Sequence, residues 1–313
     1  RQAARQAHSN SIRGRLADGR HIALLANIAS IADAQAAQQF GAEGVGLVRT
    51  ELLFYGDDGR RRTPPSEAEH LAFYRAIIAQ MPGLPITVRT ADIGGDKPVA
   101  YLSEAAEANP FLGMRGIRWC MQHPDMLHAQ LRALLQAAVH GDVRVMVPMV
   151  ATPDDMAWAR RAVQQAQASL EAEQAQFRAD VPLGAMIETP AAAVTVDLLA
   201  EQADFFSIGT NDLAQYTLAA DRGMTALAQQ YRQNDVSVMR LVAIAARAAQ
   251  RVARPISVCG DLAGVPQAAE LLVGLGITTL SMAAPLIPAV KAHLAGRTLA
   301  EARLAAAAAG VSD

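Results

Sequence analysis

The chain has little cysteine, few aromatic residues and almost no net charge. Its two cysteines, Cys120 and Cys259, exclude a disulfide framework and make a reducing cytoplasm the expected location. The formal charge is only -2, which excludes a bulk electrostatic attraction for nucleic acid or an anionic membrane. No apolar run reaches the length of a membrane span.

Apolar residues are nevertheless abundant, which predicts a core built from Ala, Val, Leu, Ile and Met. The length of 313 residues fits one large domain or two small ones. Because the chain begins with Arg1 rather than Met, we expect a piece of a longer protein. Residues 1–20 are expected to be a linker or lead-in helix, residues 21–298 a barrel, and residues 299–313 an Ala-rich closing helix.

Short β-branched runs alternate with longer Ala-rich amphipathic segments, a pattern typical of βα units around a parallel sheet. The predicted strands are 21–29, 44–50, 86–93, 143–150, 183–189, 205–212, 256–262 and 279–283. The predicted helices are 33–40, 65–80, 109–139, 153–177, 191–202, 235–251, 265–273 and 287–295. Eight alternations favour an α/β fold of the closed (β/α)8 barrel type, with flanking terminal helices, over an open doubly wound sheet.

Arginines end two successive predicted strands. Arg49 follows the second strand and Arg89 the third. One surface arginine is usually a solvated charge, but two at equivalent barrel positions predict a shared anion site. The Gly-Gly-Asp-Lys segment at 94–97 fits either a simple turn or a backbone approach to phosphate, with Lys97 as a point charge.

Carboxylates end the fifth and sixth predicted strands. Glu188 follows a mostly apolar run, where an unpaired acid would be costly, and Asp212 lies at the end of the next strand. Two neighbouring carboxylates, with other positions left to water and substrate oxygens, are how proteins usually hold Mg²⁺. The segment around Asp212 also fits the N-cap of a helix beginning near Leu213. Arg222, ten residues further on, can grip a carboxylate or phosphate.

The two cysteines differ in their settings. Cys120 lies in a predicted helix and fits a small buried apolar residue. Cys259 lies at the end of the seventh strand beside Asp261, where an acid–base or nucleophilic thiol is expected. None of the seven histidines falls in a cluster at a strand end, so we expect solvated or capping roles for them.

Seven motifs occur together and in order along the chain. They are GVGLVRTE (44–51), RTADIGGDK (89–97), NPFLGMRGIR (109–118), MIETPAAA (186–193), FFSIGTNDL (205–213), DRG (221–223) and CGDLAG (259–264). Over about residues 23–288 they resemble the C-terminal, phosphoenolpyruvate (PEP)-binding domain of Enzyme I of the bacterial sugar phosphotransferase system. A fused multiphosphoryl transfer protein that carries an Enzyme I-like section fits equally well.

That resemblance implies a role for each strand-end residue. It implies substrate binding by Arg49, Arg89, Lys97, Arg115, Asn211, Asp212 and Arg222, with Lys97 and Arg115 as supporting cations. It implies Mg²⁺ bound by Glu188 and Asp212, and Cys259 as the proton donor that converts the enolate to pyruvate. A thiol with a pKa not far above neutrality would serve both directions of that step.

The chain departs from the family pattern in two respects. Asp261 stands where the family usually has Glu, so the surroundings of Cys259 are expected to differ in reach. The family's phosphorylated histidine lies in a separate N-terminal domain, and no histidine here has its Gly/Ser-rich setting. The implied partners are therefore PEP and pyruvate, that N-terminal domain and, through it, a histidine-containing phosphocarrier protein, and a second copy in a homodimer.

Other families leave alternatives open. The barrel domains of PEP synthase and pyruvate phosphate dikinase look similar and use the same pyruvyl chemistry. A barrel that only senses PEP and dimerises is a second alternative, and a Mg²⁺-dependent lyase of pyruvate-containing acids is a third.

Overall fold

The computed structural model describes residues 13–56, 59, 61–102 and 107–311, without the side chains of residues 228 and 229. Eight parallel strands follow one another around a closed barrel, and the eighth pairs with the first. The strands are β1 (Ala23–Ile28), β2 (Val45–Val48), β3 (Ile86–Arg89), β4 (Val143–Val147), β5 (Leu183–Ile187), β6 (Phe205–Ile208), β7 (Ile256–Val258) and β8 (Thr279–Ala283). The prediction of a (β/α)8 barrel is confirmed.

Helices follow the strands on the outside of the barrel. Within the described residues they are α1 (Ile31–Gln39), α2 (Glu51–Tyr55), α3 (Glu67–Gln80), α4 (Ile117–Gln122), α5 (Pro124–Ala137), α6 (Pro153–Ala172), α7 (Pro190–Val194), α8 (Val196–Leu199), α9 (Thr210–Leu218), α10 (Thr225–Gln230), α11 (Val236–Arg251), α12 (Pro266–Gly274), α13 (Ile287–Ala295) and α14 (Leu299–Ala308). Several begin with a capping box, as at Ser30 with Asp33 and at Thr152 with Asp155, which satisfies backbone N–H groups of the first turn.

The strands are shorter than predicted wherever polar residues follow the apolar run. The largest differences are at β3, β6 and β7, which end at Arg89, Ile208 and Val258, so the predictions that these strands continue to residues 93, 212 and 262 are wrong. Helix α9 begins at Thr210, directly after Gly209, and Asp212 lies in its first turn. The helix dipole favours an acid in the first turn, so Asp212 is compatible with a helix that begins here instead of a longer strand.

Three predicted helices are shorter or divided. The prediction of one helix over 109–139 is wrong, because Gly116 adopts a positive φ of 59° and Pro124 starts a new helix. Helix α6 ends at Ala172 rather than near residue 177, and Gln174 then takes a left-handed φ of 55°. The helix predicted over 191–202 is divided at Thr195 into α7 and α8.

The two ends of the described chain lie against each other, since the Ala17 N–H donates to the Arg297 carbonyl at 2.8 Å. Residues 13–20 contain no helix, and Arg15 forms a bridge with His21, while the rest of the predicted lead-in segment lies outside the described residues. Helix α14 packs against α12. Among the described residues, no helix combines the length and the apolar character that a membrane crossing requires.

Two apolar clusters fill the structure. The main core, rich in Ala, Val, Leu and Ile as predicted, joins the strands to the helices. A smaller cluster draws one residue each from β2, β4, β5 and β6 and one residue directly after β7. Its members are Leu47, Met146, Met186, Phe205 and Cys259. Cys259 directly follows β7, so this cluster surrounds a thiol at the carboxyl end of a strand.

Candidate active site

A cavity of about 490 Å³ opens where the carboxyl ends of the strands meet. This is the end of a (β/α)8 barrel at which enzymes of this architecture carry their active sites. The cavity is lined by Leu47, Arg49, Glu51, Tyr55, Arg89, Lys97, Met186, Glu188, Gly209, Asn211, Asp212, Arg222, Cys259, Gly260 and Asp261. Every residue that the sequence predicted for the site lies in this lining except Arg115.

Arg89, at the end of β3, is buried and held by two acids. Its Nη2 lies 2.5 Å from Glu51 Oε1, and its Nη1 lies 3.2 Å from Asp92 Oδ2. Glu51 opens helix α2, directly after β2, so this ion pair connects two neighbouring strand ends. The guanidinium is thereby fixed in one orientation before any ligand arrives.

Asp92 is the central anion of this part of the site. Its side chain is 0% exposed and it contacts Arg89, Lys97 and Arg115. Burial alone would raise the pKa of Asp92, but the charges of these three cations hold it well below its usual range. The carboxylate therefore stays ionised and orders the cations around it.

Arg115 lies beneath the cavity rather than in its lining. It is fully buried and makes bidentate contacts with Asp92, both at 2.9 Å, and with Asp212, both at 3.2 Å. Such planar two-pronged pairing is specific to arginine. These contacts hold Asp92 and Asp212 in place, and the expected part of Arg115 in substrate binding stays a prediction.

The Gly-Gly-Asp-Lys segment forms a turn, one of the two predicted alternatives. Gly94 and Lys97 exchange backbone hydrogen bonds of 3.0 and 2.9 Å, so these N–H groups are used within the turn. Gly94 and Gly95 both have positive φ values, of 88° and 57°, a conformation that favours glycine. The turn directs the Lys97 side chain to Asp92 and into the lining of the cavity.

Two arginines of the lining are more open to solvent. Arg222 contacts Asp212, with Nη2 3.4 Å from Oδ1, and its side chain is 35% exposed. Arg49, at the end of β2, is exposed, and its side chain has no ion-pair partner among the described residues. These two cations are the ones most available to an incoming anion.

The Glu188 carboxylate lies at the end of β5 and is almost fully buried. Its Oε1 accepts a hydrogen bond of 2.6 Å from the backbone N–H of Met149. A side chain at Gly209 would place its Cβ 2.9 Å from Glu188 Oε2, so glycine keeps the space beside that oxygen open. Burial, and then the nearby charges of Asp212 and Asp92, raise the pKa of Glu188.

Asn211 and Asp261 join the ends of β6 and β7. The Asn211 amide nitrogen donates to Asp261 Oδ2 at 2.8 Å, and its oxygen accepts from the Asp261 backbone N–H at 2.9 Å. The shorter aspartate side chain therefore still reaches across from the segment that carries Cys259. Within the part of the chain that the structure describes, the second N–H of the Asn211 amide has no hydrogen-bond partner.

Cys259 is buried in the smaller apolar cluster, 3% exposed, with its thiol directed toward the Ile208 carbonyl at 3.7 Å. Burial raises the pKa of Cys259 to about 11, and the hydrogen bond from Ser207 lowers it only in part. The prediction of a pKa not far above neutrality is therefore wrong. The structure favours a protonated thiol, which suits a proton donor.

Comparison with known proteins agrees with this geometry. A family model described as "PEP-utilising enzyme, PEP-binding domain" matches residues 3–299. The chain belongs to this family. The resemblance predicted from the seven motifs is confirmed.

Curated relatives of this PEP-binding domain are longer than the chain. It is 44% identical over 286 residues to a multiphosphoryl transfer protein of Rhodobacter capsulatus, covering 91% of the chain and 33% of the relative. It is 43% identical over 286 residues to a phosphoenolpyruvate-protein phosphotransferase of Priestia megaterium, covering 91% of the chain and 49% of the relative. The chain thus spans between a third and a half of the relatives it matches.

Sequence reasoning assigned no role to two acids of the PEP-binding domain that the structure makes important. Glu51 and Asp92 both occur in the quoted motifs, but Glu51 pairs with Arg89 of the next strand, and Asp92 pairs with Arg115, which lies 23 residues further along the chain. One signal could have found Asp92. The cations Arg89, Lys97 and Arg115 all follow the same apolar strand, and so many charges near a barrel interior require a buried counterion.

Proposed function

We propose that this PEP-binding domain is the substrate-binding and catalytic part of a phosphoenolpyruvate-protein phosphotransferase. The observation that carries the proposal is the single cavity lined by Arg49, Arg89 and Arg222 beside Glu188 and Cys259. PEP carries a phosphate and a carboxylate, and arginine binds both through its planar fork. The names of the curated relatives support the same reaction class.

Glu188 and Asp212 are the residues that we propose to hold Mg²⁺. They are neighbouring carboxylates, one of them beside the open space at Gly209, and among the described residues no group of three or more His, Cys, Asp or Glu forms a protein-only metal site. A site with few protein ligands fits Mg²⁺, which keeps water and substrate oxygens. Bound Mg²⁺ would supply positive charge opposite the oxygen on which negative charge develops.

The proposed reaction breaks the bond between the phosphorus and the bridging oxygen of PEP. The phosphoryl group passes to an imidazole nitrogen of a histidine on a separate domain, and the electron pair stays on the oxygen as an enolate. Arg49, Arg89 and Arg222 orient the two anionic groups. The Cys259 thiol then gives its proton to the methylene carbon, which forms pyruvate, and the thiolate regains a proton from solvent.

The acceptor histidine is proposed to lie outside this chain. Among the described residues, no histidine lines the cavity. The chain with Mg²⁺ should therefore bind PEP and stop before transfer, because the acceptor must lie in line with the phosphorus. We also propose that the domain forms a homodimer, which light scattering would measure.

The test is to incubate the chain with Mg²⁺ and PEP, with and without a phospho-accepting histidine domain of the same family. Pyruvate is followed with a coupled lactate dehydrogenase assay, and PEP binding by calorimetry. We expect binding in both cases and pyruvate only with the added domain. Sustained pyruvate formation by the chain alone would overturn the proposal. Glu188→Gln should remove the Mg²⁺ dependence of PEP binding.

A further inference from the structure

A buried glutamine joins the two strand ends that carry Arg49 and Arg89. Gln130, on α5, is 0% exposed. Its amide oxygen accepts a hydrogen bond of 3.0 Å from the Ala91 backbone N–H. Its amide nitrogen donates to Thr50 Oγ1 at 3.3 Å and to the Tyr74 hydroxyl at 3.1 Å. Both amide hydrogens and the amide oxygen of Gln130 are therefore used.

Thr50 completes the connection between the two strand ends. It is the N-cap residue of α2, yet its hydroxyl makes no capping hydrogen bond to that helix. Threonine at this position usually accepts a hydrogen bond from the first helical turn. Here the hydroxyl donates instead to the Arg89 carbonyl at 3.0 Å. The hydroxyl thus serves the neighbouring strand rather than its own helix.

These contacts lie beyond the point at which β2 and β3 are paired in the sheet. The last paired residues of β2 and β3 are Val48 and Val88. Beyond them, the hydrogen bonds of Thr50 and Gln130 continue the connection toward the cavity. Thr50 is adjacent in sequence to Arg49, and the Arg89 carbonyl that it contacts belongs to the second arginine of the lining.

We propose that Gln130, together with Thr50, is a positioning residue that sets the separation between Arg49 and Arg89. The proposal rests on the proposed function of the cavity as a PEP site. Two guanidinium groups that bind one small molecule with two anionic groups must be placed within a fraction of an ångström. Buried donors and acceptors that lose their partners are costly, so this network disfavours other arrangements of the two strand ends.

The chain offers matched variants to test this. Gln130→Met removes the hydrogen bonds of the glutamine at similar volume but leaves the one from Thr50 to the Arg89 carbonyl. Thr50→Val removes the hydroxyl at similar shape. Each should weaken PEP binding about tenfold, because a lost buried hydrogen bond of about 1.4 kcal/mol is here expressed in ligand affinity. Thr50→Ser keeps the hydroxyl and should restore binding to within about twofold of the wild type.

Tyr74→Phe is the control. It removes a hydrogen bond to the same glutamine, and the one between the Tyr74 hydroxyl and His70, but leaves the contacts with Thr50 and Ala91 intact. It should lower Tm while leaving PEP affinity within about twofold. The two variants are compared by the loss of PEP affinity for a given loss of Tm. If this ratio is the same in Gln130→Met as in Tyr74→Phe, the glutamine is only structural and the positioning proposal is wrong.

A measurement without PEP separates this proposal from the proposed function. The Arg89 Nε is buried and has no hydrogen-bond partner among the described residues, so its N–H resonance is a suitable NMR probe. Gln130→Met should shift that resonance, and Tyr74→Phe should leave it unchanged. Equal spectra for the two variants would overturn the positioning role. Failure of the wild-type chain to bind PEP would overturn the proposed function, whatever the spectra show.

Discussion

Two sides of the cavity differ in the charge of their functional groups. On the cationic side, formed by Arg89 and Lys97 in the lining and Arg115 beneath it, each cation contacts the buried carboxylate of Asp92. On the thiol side, Cys259 lies against apolar side chains that keep its proton in place. The difference indicates a division of tasks, in which one side fixes ionised groups to hold an anion and the other keeps a neutral acid ready.

The largest effect is expected from removing the proton donor. Cys259→Ala should lower pyruvate formation about 1,000-fold, within the range of roughly 10²–10⁴ for a general acid, because the enolate then lacks a positioned proton. PEP affinity should change by less than about threefold, since donation follows binding. Calorimetry and the coupled assay with the added histidine domain measure the two quantities. An equal loss in both would show that the thiol side also holds the ligand.

The next effect concerns the cationic side. Asp92→Asn leaves three cations around a neutral amide and should reduce the free energy of unfolding by about 3–5 kcal/mol, the usual consequence of breaking a buried charge network. Asp96→Asn is the matched control, since Asp96 is more exposed and its one ion pair among the described residues is with Arg115, at 3.4 Å. Urea denaturation of both variants gives the comparison. Similar losses in the two would mean that Asp92 is not the central anion.

The smallest effect sharpens the thiol side. Alkylation requires the thiolate, and the pKa of Cys259 is raised from 9.0 to about 11. The rate of alkylation at Cys259 should therefore keep rising with pH between 9 and 11 in the folded protein. In the urea-unfolded protein the rate should level off near the ordinary thiol pKa of 9.0. The stability that this shift contributes is present below pH 9 and is lost as the pH rises toward 11. Mass spectrometry of iodoacetamide-treated peptides distinguishes Cys259 from Cys120, and a plateau at Cys259 near pH 9 would contradict the apolar setting.

Much of the fold was predictable because it depends on local pattern. Alternation of apolar strands and Ala-rich helices predicts the barrel, and β8 and α13 have the predicted bounds. Boundaries fail where a backbone conformation decides, as at Gly209, where β6 gives way to helix α9. At Gly209 the sequence gives no clear end to the strand, although the backbone there changes from strand to helix.

The site likewise has some features that were predictable from the sequence and others that were not. Arg49, Glu188 and Cys259 were predictable, because each follows an apolar run at the functional end of a barrel strand. The buried position of Arg115 was not predictable, because it arises from contacts with a distant segment that carries Asp212, and the place of Asp92 could be inferred only from the need of three nearby cations for a buried counterion. The raised pKa of the thiol likewise depends on neighbours from four other strands.

The exposed position of Arg49 has a consequence for the time course of binding. An exposed cation in the lining of a cavity attracts a multiply charged anion before contact, and this attraction weakens as salt is added. Encounter with PEP should therefore slow as ionic strength rises. The ion pairs of Arg89 and Arg115 are shielded from solvent, so escape of the bound ligand should depend on salt much less. Arg49 should thus set how quickly the cavity fills, while the buried Arg89 should set how long it stays filled.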